Sequence, residues 1–204
     1  MTRESLSVLE GLRDAGRFEW YVVGQLAFVV YAYARTIARG RGDDAVLGLG
    51  FWAAEFLWEM ANALVLRFTD HAALWMVAGP SAFVIYAGLN VEIALLFAVA
   101  PLVLFDLLPE RGRPGRRTLV GVALGLFCVA VEIVLNRAGV LVWTWWWWNV
   151  PFLPLIAAAY CGPFAVLAWI RERASPRAKA IGASSAVAAA VVAHVVLASG
   201  LGWI

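Results

Sequence analysis

Charge is scarce in this chain. Only 15% of its 204 residues are charged, against roughly 25% in an ordinary soluble domain, and Lys179 is the one lysine among the basic residues. A net charge of +2, gathered in short connecting segments, excludes a nucleic-acid-binding surface. Histidine is equally rare, with only His71 and His194, which excludes a histidine-rich di-iron centre. The two cysteines, Cys128 and Cys161, have no Cys–His zinc spacing and fall in apolar runs, so they read as free thiols acting as small hydrophobes. The chain also lacks a glycine-rich phosphate loop, a serine elbow and the aspartate-rich motifs that hold magnesium and diphosphate. Asp43-Asp44 is an isolated pair and reads as a solvated turn. No metal site and no cofactor are expected.

Apolar sequence is what the chain has in abundance, at 63% of residues. A soluble fold could not hide that many apolar side chains, and a bilayer is the natural solvent. The expected fold class is all-α, a polytopic transmembrane bundle in one domain over residues 1–204. Five segments fit a span readily: roughly 20–37, 46–66, 118–137, 150–170 and 181–203. The first apolar run leads into Arg35, Arg39 and Arg41 without a cleavage pattern, so it reads as a retained helix.

Residues 72–108 are too long for one helix and barely long enough for two, and Gly79-Pro80 interrupts them. Charge decides how to divide them. Three Arg-rich loops, Arg35 to Arg41, Arg111 to Arg117 and Arg171 to Lys179, should share the cytoplasmic side. The first two share it only if 72–108 supplies one span. That span is placed at about 87–108, preceded by an interfacial or re-entrant piece at about 72–86. The expectation is six spans with both termini outside. Seven spans would put the second basic loop on the opposite side.

The polar residues inside the spans are candidates for function, because buried acids are costly in hydrocarbon. Trp52, Glu55, Glu59 and Asn62 are spaced 3, 4 and 3 apart, which makes one helical stripe. Glu132 and Asn136 repeat the theme at i, i+4. Glu92 follows Asn90 within an apolar run, and Tyr86 lies one turn earlier. Each has a plainer reading: interhelical hydrogen-bond clamps for the first two groups, and an N-cap with a first-turn acid for Asn90 and Glu92. His194, deep in the last span, is either a satisfied buried histidine or a proton relay. The run from Trp143 to Asn149, which includes Trp145, reads as an outer aromatic belt or as the roof of a pocket.

Acids, amides and aromatics in an apolar pocket suit proton-initiated carbocation chemistry. A buried carboxyl can keep its proton and donate it, and indole faces stabilise cations. The candidate acids are Glu59, Glu55, Glu132 and Glu92. The candidate substrate contacts are Trp52, Trp58, Asn62, Tyr86, Asn90, Asn136, Trp143, Trp145 and Asn149.

The Trp58-Glu59 pair in an aromatic span resembles the Trp-Glu element of the small integral-membrane terpene cyclases that make meroterpenoids. Glu132, Asn136, Gly139 and Trp143 together resemble a run in membrane carotenoid hydratases and cyclases. The Glu, Asn and Trp inventory is similar to that of sterol isomerases of the emopamil-binding type, although their histidine has no counterpart here. The first resemblance implies a proton-donor role for Glu59 and a second acid role for Glu132. The implied partner is a lipophilic isoprenoid arriving from the bilayer lipids. A proton- or ion-coupled transporter and a non-catalytic assembly protein remain the alternatives.

Overall fold

The fold comes from a computed structural model that describes residues 1–109 and 114–204. Arg111 and Arg113 of the second basic loop lie outside the described residues.

Among the described residues are seven α-helices: α1 (Arg3–Glu10), α2 (Tyr21–Ala38), α3 (Gly42–Thr69), α4 (Val91–Leu107), α5 (Pro114–Arg137), α6 (Leu153–Arg173) and α7 (Pro176–His194). Their starts follow from local chemistry. Asn90 caps α4 by accepting from the Ile93 amide at 2.8 Å, and Ser175 caps α7 by accepting from the Ala178 amide, with Pro176 at the first helical position. The fold is therefore the helical membrane bundle expected. Four helices, α2, α5, α6 and α7, are long and apolar enough to cross a membrane by length and composition. Helix α3, at 28 residues, is long enough, but Glu55, Glu59 and Asn62 dilute its apolar run. Helix α4 is strongly apolar but has only 17 residues.

The bundle is built from close-packed pairs. Helix α7 lies along α3, and α6 lies along α5. Glycines set how close the second pair comes. A Cβ added at Gly125 would lie 2.6 Å from the Cys161 Cα, and one at Gly121 would lie 2.8 Å from the Phe164 carbonyl oxygen. The i, i+4 spacing of these glycines gives α5 a bare stripe, the usual way membrane helices gain backbone contact.

Residues 72–86 are extended rather than helical. They carry β1 (Met76–Val77) and β2 (Val84–Tyr86), followed by β3 (Leu89–Asn90). The third expected span accordingly starts at Val91, not near 87. Strand β2 pairs with β3, and β1 pairs antiparallel with β4 (Leu141–Val142). Helix α1 seats Val8 on this layer beside Leu66, Ala72, Ala73 and Met76. The result is a buried cap over one end of the bundle. Its backbone groups pair across these short strands, as buried peptide groups must.

The opposite end gathers the basic loops. Arg41 and Arg171 both bind the buried Asp44, at 2.7 and 2.9 Å, and Lys179 binds Asp43 at 2.6 Å. Arg41 also reaches Asp106, and Arg117 lies 3.6 Å from Glu172. Asp43-Asp44 is therefore not a solvated turn. The pair opens α3 and collects cations from α7, from the end of α6 and from the α2–α3 turn. The sequence pattern hid this because the α6 and α7 partners lie more than a hundred residues away.

Candidate functional site

Glu55 and Glu59 are one turn apart on α3 and face the same cavity, an apolar space of about 700 Å³ between α3, α6 and α7. Trp58, Trp75, Trp148 and Tyr160 wall it near the acids, and Phe51, Phe97 and Phe164 continue the wall. A second cavity of about 190 Å³ adjoins it, with Glu59, Trp75, Phe97 and Tyr160 lining both. Glu132 of α5 faces this smaller space. Three of the four candidate acids therefore line two adjoining cavities, with Glu59 on both, Glu55 on the larger and Glu132 on the smaller.

The three acids differ in their partners. Glu59 is buried and accepts from the Trp75 indole N–H on both oxygens, at 3.0 and 3.1 Å. Glu132 is also buried. Its Oε1 accepts from the Trp143 indole at 2.9 Å, its Oε2 has no hydrogen-bond partner, and Tyr160 stands beside the carboxyl. Glu55 has no hydrogen-bond partner among the described residues.

The cap holds these contacts. Asn62, one turn beyond Glu59, donates to the Trp75 carbonyl at 2.9 Å and accepts from the Leu74 amide at 2.7 Å. It latches the 74–75 backbone to α3 and so delivers the Trp75 ring to Glu59. Gly88 seals the cluster from the other side, since a Cβ there would lie 2.6 Å from the Trp75 Nε1 and 2.7 Å from Glu59 Oε2. Trp75 is itself flanked by Trp58, with ring centres 6.0 Å apart, and by Trp148 at 5.4 Å.

Other sequence candidates lie outside both cavities. Glu92 accepts from the Ser81 hydroxyl at 3.0 Å, from the Ala82 amide at 2.9 Å and from the Tyr21 hydroxyl. It ties α2 and the cap to the first turn of α4, so the structure does not bring it to the other acids. Asn90 is the N-cap already described. Trp52 donates to the Ala94 carbonyl at 2.8 Å, joining α3 to α4. Tyr86 shares a 2.7 Å hydrogen bond with His194 Nδ1, which gives that histidine a partner. Asn136 donates to the Leu141 carbonyl at 3.0 Å and Trp145 to the Ala72 carbonyl at 3.1 Å, while Asn149 accepts from the Val150 amide. The tryptophan run divides. Trp143 and Trp148 are buried, whereas Trp146 is 74% exposed. Only Trp148 of that run lines the large cavity.

Sequence reasoning missed Trp75, Tyr160 and Gly88, and reached Trp148 only as one ring of the run that could roof a pocket. Tyr160 had a signal, a lone hydroxyl after three alanines in an apolar span. Trp75 and Gly88 had none, because their roles depend on the path of the cap. No cluster of three or more His, Cys, Asp or Glu with metal-binding geometry occurs among the described residues.

Comparison with known proteins gives a consistent but coarse placement. A family model described as an uncharacterized membrane protein family matches residues 2–199. A protein from Archaeoglobus fulgidus, described as an uncharacterized protein, is 36% identical over 209 residues, covering 100% of this chain and 99% of its own length. No solved structure matches.

Proposed function

The chain belongs to this uncharacterized membrane protein family, and from that premise we propose that it is a membrane-embedded enzyme that protonates a lipophilic isoprenoid substrate inside the bundle. The observation that carries the reading is the pair Glu55 and Glu59 on an apolar, tryptophan-walled cavity of about 700 Å³. Two acids one turn apart would be an expensive way to glue helices, and Glu55 glues nothing.

The roles follow from the partners. A carboxyl without a donor or a cation beside it is stable in apolar surroundings only as the neutral acid, so Glu55 is the proton donor. Its O–H proton passes to one carbon of a substrate double bond, and the other carbon becomes a cation. The faces of Trp58, Trp75 and Trp148 stabilise that cation. Glu59, with both oxygens turned to the Trp75 N–H, is set up as the acceptor. It takes a proton from the carbon next to the cation, closing an isomerisation or a cyclisation without a metal or a redox partner, and a proton passed from Glu59 back to Glu55 one turn away resets the pair. Glu132 supplies a second acid at the far side of Glu59. The Trp58-Glu59 and Glu132-to-Trp143 resemblances support the same class, although the first would make Glu59 the donor, the role that the partners described above give to Glu55. Six spans with both termini outside complete the reading, placing the ion-paired end on the cytoplasmic side.

A proton- or ion-coupled carrier is the second reading. It would need a polar path through the cavity, and the apolar walls weigh against one.

Membranes carrying the wild type, Glu55→Gln or Glu59→Gln, incubated with polyprenyl substrates in D2O, test the proposal. Wild type should place deuterium on carbon, and either variant should lower turnover by about 10²–10⁴-fold. Wild-type turnover that survives both substitutions removes the proposed acids.

A further inference from the structure

The large cavity reaches from the ion-paired end toward the cap, and several of the residues that line it are exposed on the outer surface. At the basic end Lys179, whose buried ammonium is held on Asp43, lines it, next to the guanidiniums held on Asp44. At the cap end the packed pair Trp75 and Trp148 walls it, with Gly88 against Glu59 and Asn62 behind. Between these ends, consecutive helices α6 and α7 lean on different partners and leave a slit with α3 as its floor. Pro163 and Val166 of α6, Ala54 and Trp58 of α3, and Ala178 and Gly182 of α7 all line the cavity while remaining exposed on the outer surface. Three of these six are alanine or glycine, so little side-chain bulk bars the opening. Van der Waals contact with lipid is what such an edge offers, and an apolar chain is what can cross it.

Length adds a second constraint. The α3 residues on the cavity run from Leu47 to Glu59. The twelve helical steps between them rise about 18 Å, well short of a hydrocarbon core of about 30 Å. A long polyprenyl chain cannot be enclosed whole.

We propose that the slit between α6 and α7 is a lateral portal, and that the substrate is a linear isoprenoid chain that enters end-first and keeps the remainder of its length in the bilayer. The site then reads the terminal unit of the chain and is indifferent to the number of units beyond it. This rests on the catalytic reading above only for the choice of an isoprenoid as occupant.

The test uses two photoprobes with the same diazirine-bearing terminal unit, one on a farnesyl-length and one on a decaprenyl-length chain, added to the full protein in lipid nanodiscs. Labelled peptides are then mapped by mass spectrometry. Both probes should label the α3 peptide containing Glu55 and Glu59 to a similar extent. Gly182→Trp should lower labelling by both by about ten-fold or more. A Cβ at Gly182 meets nothing within 4 Å, so the indole can be accommodated at the slit without disturbing the fold. Gly162→Trp is the control, because Gly162 is equally open and exposed on α6 but does not line the cavity, and it should leave labelling unchanged. Labelling that survives Gly182→Trp overturns the portal. So does a long probe that fails where the short one succeeds, or a Gly182→Trp protein that changes only its oligomeric state, which would make the slit a subunit contact. Labelling reports occupancy without turnover, so a labelled but inert protein would defeat the catalytic reading and leave the portal standing.

Discussion

Replacing Asn62 by leucine should unlatch the cap from α3. The substitution nearly conserves volume but removes both polar atoms of a side chain that is 2% exposed. It leaves the Leu74 N–H and the Trp75 C=O, now bonded at 2.7 and 2.9 Å, without partners. A buried donor or acceptor left unmade costs about 1–3 kcal/mol, so the pair should cost roughly 2–6 kcal/mol. Even the lower bound should reduce the thermal midpoint in detergent by about 4–8 °C for a chain of this size. The loss should also be local. Hydrogen exchange should accelerate at Leu74 and through Met76 and Val77, while α5 and α6 stay protected. Trp75→Phe removes the indole N–H that Glu59 accepts together with part of the ring packed between Trp58 and Trp148, and combining it with Asn62→Leu should give less than the sum, because Asn62 holds the Trp75 backbone and both side chains act on Glu59. An Asn62→Leu protein that melts with the wild type and keeps the Leu74 amide protected would show that the latch is not what holds the cap.

Three further outcomes rest on the packing and the charges. Gly125→Ala should cost about 1–3 kcal/mol in thermal stability, because its Cβ would lie 2.6 Å from the Cys161 Cα, whereas Gly115→Ala, with open space around it, should cost nothing. Asp44→Asn should cost about 2–3 kcal/mol by the same assay, less than the roughly 3–5 kcal/mol of a fully buried pair, since the Arg41 and Arg171 side chains stay 26% and 21% exposed. Asp44 lies ahead of the apolar stretch of α3. Burial opposes its charge, yet hydrogen bonds from Arg171 and Arg41 outweigh that and hold the carboxyl below its usual range. Its contribution is then complete above the unfolded value of about 3.9 and fades as pH falls through the folded value, so the wild type should lose stability below about pH 4 by a component that Asp44→Asn lacks. Glu92→Gln should weaken the tie between α2, the cap and α4 by about 1–2 kcal/mol, yet leave any deuterium incorporation largely intact, because Glu92 lines neither of the two cavities that hold the other acids. A Glu92→Gln protein that is stable but inert would restore Glu92 to the chemistry.

The long helices and the acid stripe were legible because each is a local pattern. Apolar runs of about twenty residues and a 3-4-3 spacing are visible in the chain itself, and helix geometry converts them directly into spans and faces. The convergence of Glu55, Glu59 and Glu132 could be expected from the cost of burying acids. Whether Glu92 joined them could not, because that turned on where the cap ends and α4 begins. The N-cap role of Asn90 was one of two readings of the same short stretch, and burial cost alone does not separate a first-turn acid bonded to backbone from one facing a pocket. Asp44 was misread for a related reason. Its two guanidinium partners include Arg171, which only the antiparallel return of the chain brings near.

The least helical part of the molecule makes two equivalent acids different. On an isolated helix Glu55 and Glu59 would share one face, one solvent and one affinity for protons. The segment from Ala72 to Asn90 breaks that equivalence by lowering Trp75 onto Glu59 and leaving Glu55 bare. An acid and a base working in sequence need such an asymmetry, and a helix cannot supply it alone. Without this segment Glu59 would lose the Trp75 N–H, and the proposed donor and acceptor would no longer be distinguished by that partner. The short extended cap, which spoils the regular count of spans, is on this view what turns a polar stripe into a site with a direction.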